Sequence, residues 1–316
     1  MSQDSANVQT TGSDTAVIIP VYNRKQTVLE TLHRVAVQER LPRRVIIVDD
    51  GSSDGSGEAV EEWLDGQTSL TNATVIRQEN RGVSAARNRG FTEIGDCPYV
   101  TFLDSDDLWP VDFLARSQNA LAANPGAIAV TSDQVFCGLQ RRKRFRSTSA
   151  LAKNATAWLF RNDGAIGSSS VFRSESLRQL GCYDERLLTG EDIDLFLRAS
   201  LTGPWLHTKG EPVIYQRGLC AKRGEETNLS EKFSDSCRHW ALIHENFICQ
   251  TTGKQYIDHN VCRNRLAYCW YRAGRQLMRS GRVDEARRCF RQSLTWRLWQ
   301  GNTWFRLAQT LWSSPG

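Results

Sequence analysis

Three carboxylates in four residues, Asp104, Asp106 and Asp107, close a short apolar run, Tyr99 to Leu103. A run of that length and composition reads as a buried strand. Carboxylates at the carboxyl end of a strand in an open α/β sheet stand where such sheets bind ligands. Asp104 and Asp106 are two apart on extended backbone and share a side. Like charges so crowded are costly unless something positive neutralises them. A hard divalent cation with oxygen ligands would do so, and Mg2+ commonly brings substrate phosphates with it. The plain alternative is a solvated acidic turn that ends a strand.

To hold those carboxylates at an edge the chain must supply a sheet, and its first half reads as one. Ala16 to Ile19 is a β-branched apolar run followed by Pro20, the pattern of a buried strand stopped by proline. Thr27 to Gln38 carries Val28, Leu32, Val35 and Ala36 at helical spacing. Val45 to Val48 is a second buried strand, ending in the turn-forming run Asp49 to Ser56. Glu58 to Leu64 reads as a helix, Val75-Ile76 begins a third strand, Gly82 to Gly90 contains a helix, and Tyr99 to Leu103 is the fourth strand. Strands alternating with helices predict an α/β fold with a parallel, doubly wound sheet. Beyond it, Val111 to Ala123 reads as a helix, Ala127 to Phe136 as extended and residues 165–173 as a further strand. Ser174 to Leu180 reads as a short helix capped by Gly181, and Glu191 to Leu201 as a helix with Ile193, Phe196 and Leu197 on one stripe. Residues 138–165 are polar, basic and without a clear period.

From about residue 230 the pattern is helical throughout. Two helical segments flank Ser280-Gly281-Arg282, and the second carries Ala286 and Phe290 four apart, like the small-then-large pair of a tetratricopeptide unit. Such a unit cannot bury its own apolar face, so a hairpin docked on the core or on a partner is expected. Residues 261–316 hold eleven arginines, no lysine and two acids, Asp284 and Glu285, together with five of the ten tryptophans. Arginine interleaved with Trp296, Trp299, Trp304 and Trp312 suits an anionic lipid surface or a partner protein, so the tail is expected to be an association element rather than part of the chemical centre. A second basic run, Arg141-Arg142-Lys143-Arg144-Phe145-Arg146, also favours anionic partners.

Composition places the chain among soluble globular proteins: 40% apolar, 24% charged, net charge +5. No apolar run approaches the roughly 18–20 residues that span a bilayer. Met1 to Thr15 is polar and lacks a secretory pattern, so residues 1–14 are expected to be a disordered leader. Nine scattered cysteines without a C-x-x-C pair read as free thiols in a reducing cytoplasm.

Four motifs sit in order at the predicted strand ends. In Ile19-Pro20-Val21-Tyr22-Asn23-Arg24 a strand enters a tight turn, with Tyr22 available to stack on a base. Val48-Asp49-Asp50-Gly51-Ser52 offers a carboxylate to a nucleobase N–H or a ribose hydroxyl, and its glycine permits close approach. Arg81-Gly82-Val83-Ser84-Ala85-Ala86-Arg87-Asn88 lets a helix start pack tightly and gives Arg87 as a charge-assisted donor to phosphate. Leu103-Asp104-Ser105-Asp106-Asp107 is the fourth. A fifth element, Gly181-Cys182-Tyr183-Asp184-Glu185, is followed six residues later by Glu191-Asp192.

In this order and spacing the motifs resemble those of the GT-A family 2 glycosyltransferases, over about residues 15–215. The resemblance implies a GT-A fold, a Rossmann-like, mostly parallel central sheet with flanking helices, over 15–230, followed by an all-α tail over 231–316. It implies a nucleotide-sugar donor, with Pro20, Tyr22, Asn23 and Asp50 about the base, uracil favoured, and Asp104 on the ribose. Asp106 would hold a divalent metal, Mg2+ or Mn2+, on the diphosphate, and Arg87 with Arg81 would add positive charge. Asp192 would be the general base toward an acceptor hydroxyl, kept ionised by the helix dipole, and Glu191 would orient its surroundings. A single displacement with one base inverts the anomeric centre. The acceptor would be a glycan or a lipid-linked intermediate and not nucleic acid. The place would be the cytoplasm, with peripheral membrane contact through the tail.

Two departures bear on this reading. The family's processive members carry Q-x-x-R-W, whereas here Gln216-Arg217-Gly218 is followed by Leu219-Cys220, which favours one sugar per transfer. Many relatives also place a histidine near residue 218 to complete the metal site, and none is present there. Two other readings share the motifs: a polyprenyl-phosphate glycosyltransferase, and a non-catalytic nucleotide-sugar-binding scaffold.

Overall fold

The computed structural model describes residues 13–138, 141–164, 166–217 and 235–312. The expected leader, the Gly218–Cys220 stretch and the expected boundary near 230 lie outside or largely outside the described residues. Four apolar runs lie side by side as parallel strands: β1 (Thr15–Val21), β2 (Arg44–Asp49), β3 (Ala73–Arg77) and β4 (Tyr99–Phe102), in the order β3-β2-β1-β4. Parallel neighbours need long crossovers, here containing α1 (Lys25–Ala36), α2 (Ser56–Asp65) and α3 (Val83–Thr92). The strand order reverses between β1 and β4, the switch point where open α/β sheets bind ligands.

Beyond β4 the sheet becomes mixed. After α4 (Phe113–Ala123) come β5 (Ala129–Gly138), β6 (Arg141–Arg146), α5 (Ala155–Asn162), β7 (Ser170–Arg173), α6 (Ser174–Leu180), α7 (Glu191–Ala199) and β8 (Trp205–Arg217). β7 lies antiparallel between β4 and β5, β6 pairs antiparallel with β5, and β8 runs parallel to β5. The expected doubly wound sheet is thus parallel in its first four strands and mixed in the rest.

Alternation sends successive strand residues to opposite cores. Val17 and Ile19 join Val28, Leu32 and Phe113 on one face, while Ala16 and Ile18 join Phe172 and Phe196 on the other. β1 does not stop at Pro20. It continues to Val21, with Pro20 opposite Val48, because proline removes a donor but keeps its carbonyl, and its φ suits extended backbone. Of the expected strand over 165–173, residue 165 lies outside the described residues and the rest is only partly strand: a short helical turn over Gly167–Ser169 precedes β7. Buried side chains satisfy that turn, as Trp109 Nε1 donates to the Ser168 carbonyl and the Ser169 N–H donates to the Tyr215 hydroxyl.

The tail is not a separate body. It comprises α8 (Ser236–Gln250), α9 (His259–Arg279), α10 (Val283–Trp296) and α11 (Gly301–Trp312). Ile243, Phe247, Ile248, Ile257, Cys262 and Leu266 share one apolar cluster with Ile18, Phe102 and Phe172 of the sheet. Ala286 and Phe290 are fully buried in the hairpin, where a Cβ at Gly274 would come within 2.6 Å of the Phe290 ring. Trp270 is buried and Trp296 donates to Glu245 at 2.7 Å, whereas Leu298, Trp299, Trp304, Phe305 and Leu311 remain exposed. No helix among the described residues is long and apolar enough to cross a membrane.

A shared core predicts shared melting. Leu266→Ala should lower the unfolding free energy by roughly 2–5 kcal/mol, read by urea denaturation with near-UV and far-UV signals. The sheet and the tail should unfold in one transition, and two resolved transitions would show the tail to be an independent unit.

Candidate active site

The turns after β1, β2 and β3 are tied into one rim. Asp50 is 3% exposed. Its Oδ1 accepts from Gln78 Nε2 at 2.8 Å and from the Arg81 N–H at 2.9 Å, and its Oδ2 accepts from the Gly82 N–H at 2.8 Å. The carboxylate therefore holds the loop that opens α3, whose residue before the helix, Gly82, has φ +91° and no side chain to cap it. Asn23, at φ 51°, donates its N–H to Ser52 Oγ and accepts from the Ser53 N–H. Pro20 is buried in β1 and Tyr22 stands half-buried beside it. These residues, expected about a base, are brought together, with Asp50 and Asn23 already engaged by backbone.

Arg87 occupies the centre. It is 7% exposed on α3. Its Nη2 meets Asp104 Oδ1 at 2.7 Å, its Nη1 meets Glu191 Oε1 at 2.9 Å, and its guanidinium lies 5.0 Å from the centre of the Tyr183 ring. The side chain spans two carboxylates from distant parts of the chain. Asn88 beside it donates to the Tyr183 carbonyl and to Glu185, and accepts from the Tyr183 N–H. Arg81 pairs with Glu185 at 3.1 Å in an exposed position.

At the end of β4, Asp104 and Asp106 are half-buried and Asp107 is buried. Burial first, then the charges of Asp106 and Asp104, push the Asp107 carboxyl well above the usual carboxylate range. Its Oδ1 accepts from the Gln216 N–H at 3.3 Å, and its Oδ2 is buried without a partner among the described residues. Three crowded oxygen-donor groups with an orphaned oxygen fit a hard divalent cation. Asp106 would hold it, with remaining ligands from a bound diphosphate and water, while Asp104 is already paired with Arg87. A different trio, Asp163, His244 and Cys269, converges within 4.8 Å. It is a poor metal site, because the Arg265 guanidinium already grips Asp163 and burial pushes the Cys269 thiol up to about 12.

Glu191 and Asp192 open α7. Burial first, then the Glu191 charge, push the Asp192 carboxyl well above its ordinary value, while Arg87 pulls it down. Asp192 stands half-buried at the helix start, where the expected help of the helix dipole, about 0.3–1 kcal/mol, is opposed by desolvation. Asp192 Oδ1 accepts from the Ile193 N–H at 2.8 Å. The turn that leads into α7 is packed against the tail. A Cβ at Gly190 would lie 2.7 Å from Trp240 and 2.8 Å from Ile243 of α8, and one at Gly164 would lie 3.1 Å from Ile193 Cα. Asp163, next to Gly164, is gripped by Arg265 and lies 3.8 Å from Arg272, both on α9. Sequence reasoning missed Trp240 and left Asp107 without a role. The adjacency of Asp107 to Asp104-x-Asp106 was a usable signal, while nothing in the local pattern marks Trp240.

The glycosyl transferase family 2 model matches residues 16–181, more than half of the chain. The amylovoran biosynthesis glycosyltransferase AmsB of Erwinia amylovora is 28% identical over 199 residues, 60% of this chain and 64% of its own. This chain thus spans just under two thirds of that relative. Among solved structures, S. aureus TarS 1-349 in complex with UDP-GlcNAc superposes with a TM-score of 0.65 at 16% identity, over 88% of this chain and 81% of that one. The mannosyltransferase PcManGT of Pyrobaculum calidifontis, in complex with GDP-Man and Mn2+, gives 0.58 at 20% identity over 96% and 89%. At these identities the structures bear on the fold alone, which is GT-A.

Proposed function

The chain belongs to glycosyl transferase family 2, and from that premise we propose that it moves one sugar from a nucleotide-sugar to an acceptor hydroxyl, with inversion, during assembly of a cell-surface polysaccharide or glycolipid. The observation that carries the reading is the Asp104–Arg87–Glu191 bridge, which draws the acid cluster at the end of β4 and the Glu191-Asp192 pair into one neighbourhood. Donor and acceptor machinery then face each other across a single buried cation. The named matches support it: AmsB is an amylovoran glycosyltransferase, and the two structures hold UDP-GlcNAc and GDP-Man.

In this reading the rim from Pro20 to Asn23 and Asp50 receives the base, with uracil the first choice, and Asp104 receives the ribose. Asp106 holds Mg2+ or Mn2+, which when bound offsets negative charge on the leaving nucleoside diphosphate. Asp192 removes the proton from the acceptor hydroxyl as its oxygen attacks the anomeric carbon, and the bond to the diphosphate oxygen breaks. A raised carboxyl suits this work, because a general base performs best with its pKa near the working pH. Arg87 fixes Asp104 and Glu191 and limits how far Asp192 rises. The tail's outer face, with Leu298, Trp299, Trp304 and Phe305 exposed beside Arg297, supports peripheral contact with an anionic membrane on the cytoplasmic side.

Asp192→Asn should keep nucleotide affinity and lower turnover roughly 10²–10⁴-fold. In the parent, the base is lost as pH falls through the raised pKa, so the acid limb of kcat should lie above the ordinary carboxylate range. A limb near pH 4, or a variant within about threefold of the parent, removes Asp192 from the role. Asp106→Ala should abolish the Mn2+ dependence of UDP binding by calorimetry, and unchanged metal dependence would remove Asp106 from the metal site. For the membrane contact, Trp299→Ala with Trp304→Ala should lose most sedimentation with anionic vesicles in low salt, and a parent that ignores such vesicles refutes the contact.

A further inference from the structure

We propose that the basic edge strand β6 forms an anion-binding rim of the acceptor site, and that the acceptor is a glycan carrying phosphodiester or carboxylate groups. The inference rests on the proposed function and deepens it. Arg141-Arg142-Lys143-Arg144-Phe145-Arg146 contains no acid, and strand β6 pairs only with β5 among the described strands. Its register ties it to the reaction centre. Phe145 pairs with Val135, Val135 with Ile214, and Ile214 bridges to Leu108, the residue after Asp107. Three steps of about 4.8 Å place β6 roughly 14 Å from the acid turn, the reach of a few sugar units.

The face matters as much as the distance. Arg144 and Arg146 are two apart and share a side of the strand. The Arg146 guanidinium lies 4.8 Å from the centre of the Phe136 ring, and Phe136 lies 5.2 Å from Tyr215. Gln216, the residue after Tyr215, donates its N–H to Asp107 Oδ1 at 3.3 Å. Toward the base, Arg146 Nη1 donates to the Asn162 carbonyl at 3.5 Å, and Gly164, two residues on, abuts the backbone of Asp192 and Ile193. The Arg144 side of β6 therefore borders the space between the acid turn and Asp192, which any acceptor must enter. Arg144 is exposed there, with no carboxylate paired to it among the described residues. Lys143 is exposed as well but alternates to the other side. β6 carries cations on both sides, and charges that merely protect a sheet edge from pairing would be equally replaceable on either.

The two sides supply the control. Fluorescent oligomers of poly(glycerol phosphate), oligogalacturonate and neutral maltooligosaccharide would be titrated by anisotropy into the UDP-loaded full chain. At least one anionic oligomer should bind tenfold or more tightly than the neutral one, and the two anionic arms tell phosphate from carboxylate. Arg144→Glu should weaken the anionic oligomer at least tenfold, Arg144→Lys should retain it, and Lys143→Glu, the same charge change on the opposite side, should cost less than threefold. Equal loss in Arg144→Glu and Lys143→Glu, or no preference for anionic oligomers in the parent, overturns the rim. UDP affinity in the same samples reports the proposed function separately: a parent that binds no UDP refutes that reading, whereas UDP binding without anionic preference refutes only this one.

Discussion

The site depends on one buried cation among many acids. Asp104, Asp106, Asp107, Glu191 and Asp192 come from two turns about ninety residues apart in sequence, and uncompensated they would repel. Arg87 answers for two of them directly, with nearly all of its side chain withdrawn from water. A planar guanidinium suits this position because its fork can serve two carboxylates at once, which a lysine cannot reproduce. Desolvating Arg87 and Glu191 costs energy that well-packed apolar residues would not. What the arrangement gives in return is register: α3, the end of β4 and the start of α7 cannot slide past one another without breaking a charged contact.

Much of this was legible in the chain. The four parallel strands, their helices and the order of the motifs followed from apolar period and turn chemistry, and Gly181 ends α6 in the left-handed region as its position suggested. What escaped were features set by distant contacts. β8 contains Lys209, Gly210, Glu211 and Pro212, which break a strand signal and fall at a register shift, yet the strand forms because β5 pairs with the residues on either side, Trp205 to Thr208 and Val213 to Arg217. β6 is a run of charges that no propensity marks as strand, and it is held by pairing to β5 and by Arg146 stacking on Phe136 and Trp158. At Asp192 the helix dipole is a local feature, whereas the desolvation that opposes it is set by packing between distant segments.

The role of the tail shows the same limit. Its arginines and tryptophans read as surface chemistry, and some are. Others act inward: Arg265 holds Asp163, Arg272 stacks on Trp240, and Trp296 reaches Glu245. Composition alone cannot divide a basic, aromatic segment into the part that packs and the part that faces outward, since the same residue types serve both. The division becomes visible only where a partner lies opposite, as Gly190 does for Trp240.

The apolar cluster beneath the sheet joins Ile18 on the first strand to Leu266 on α9. During synthesis the amino-terminal strands leave the ribosome long before the helices that cover them. Until residue 266 has emerged, the nascent chain lacks part of the lining for the face that Phe172 and Phe196 occupy, and such surfaces are what chaperones bind and what drives aggregation. The order of translation therefore gives this protein a long interval in which its catalytic sheet exists without its cover.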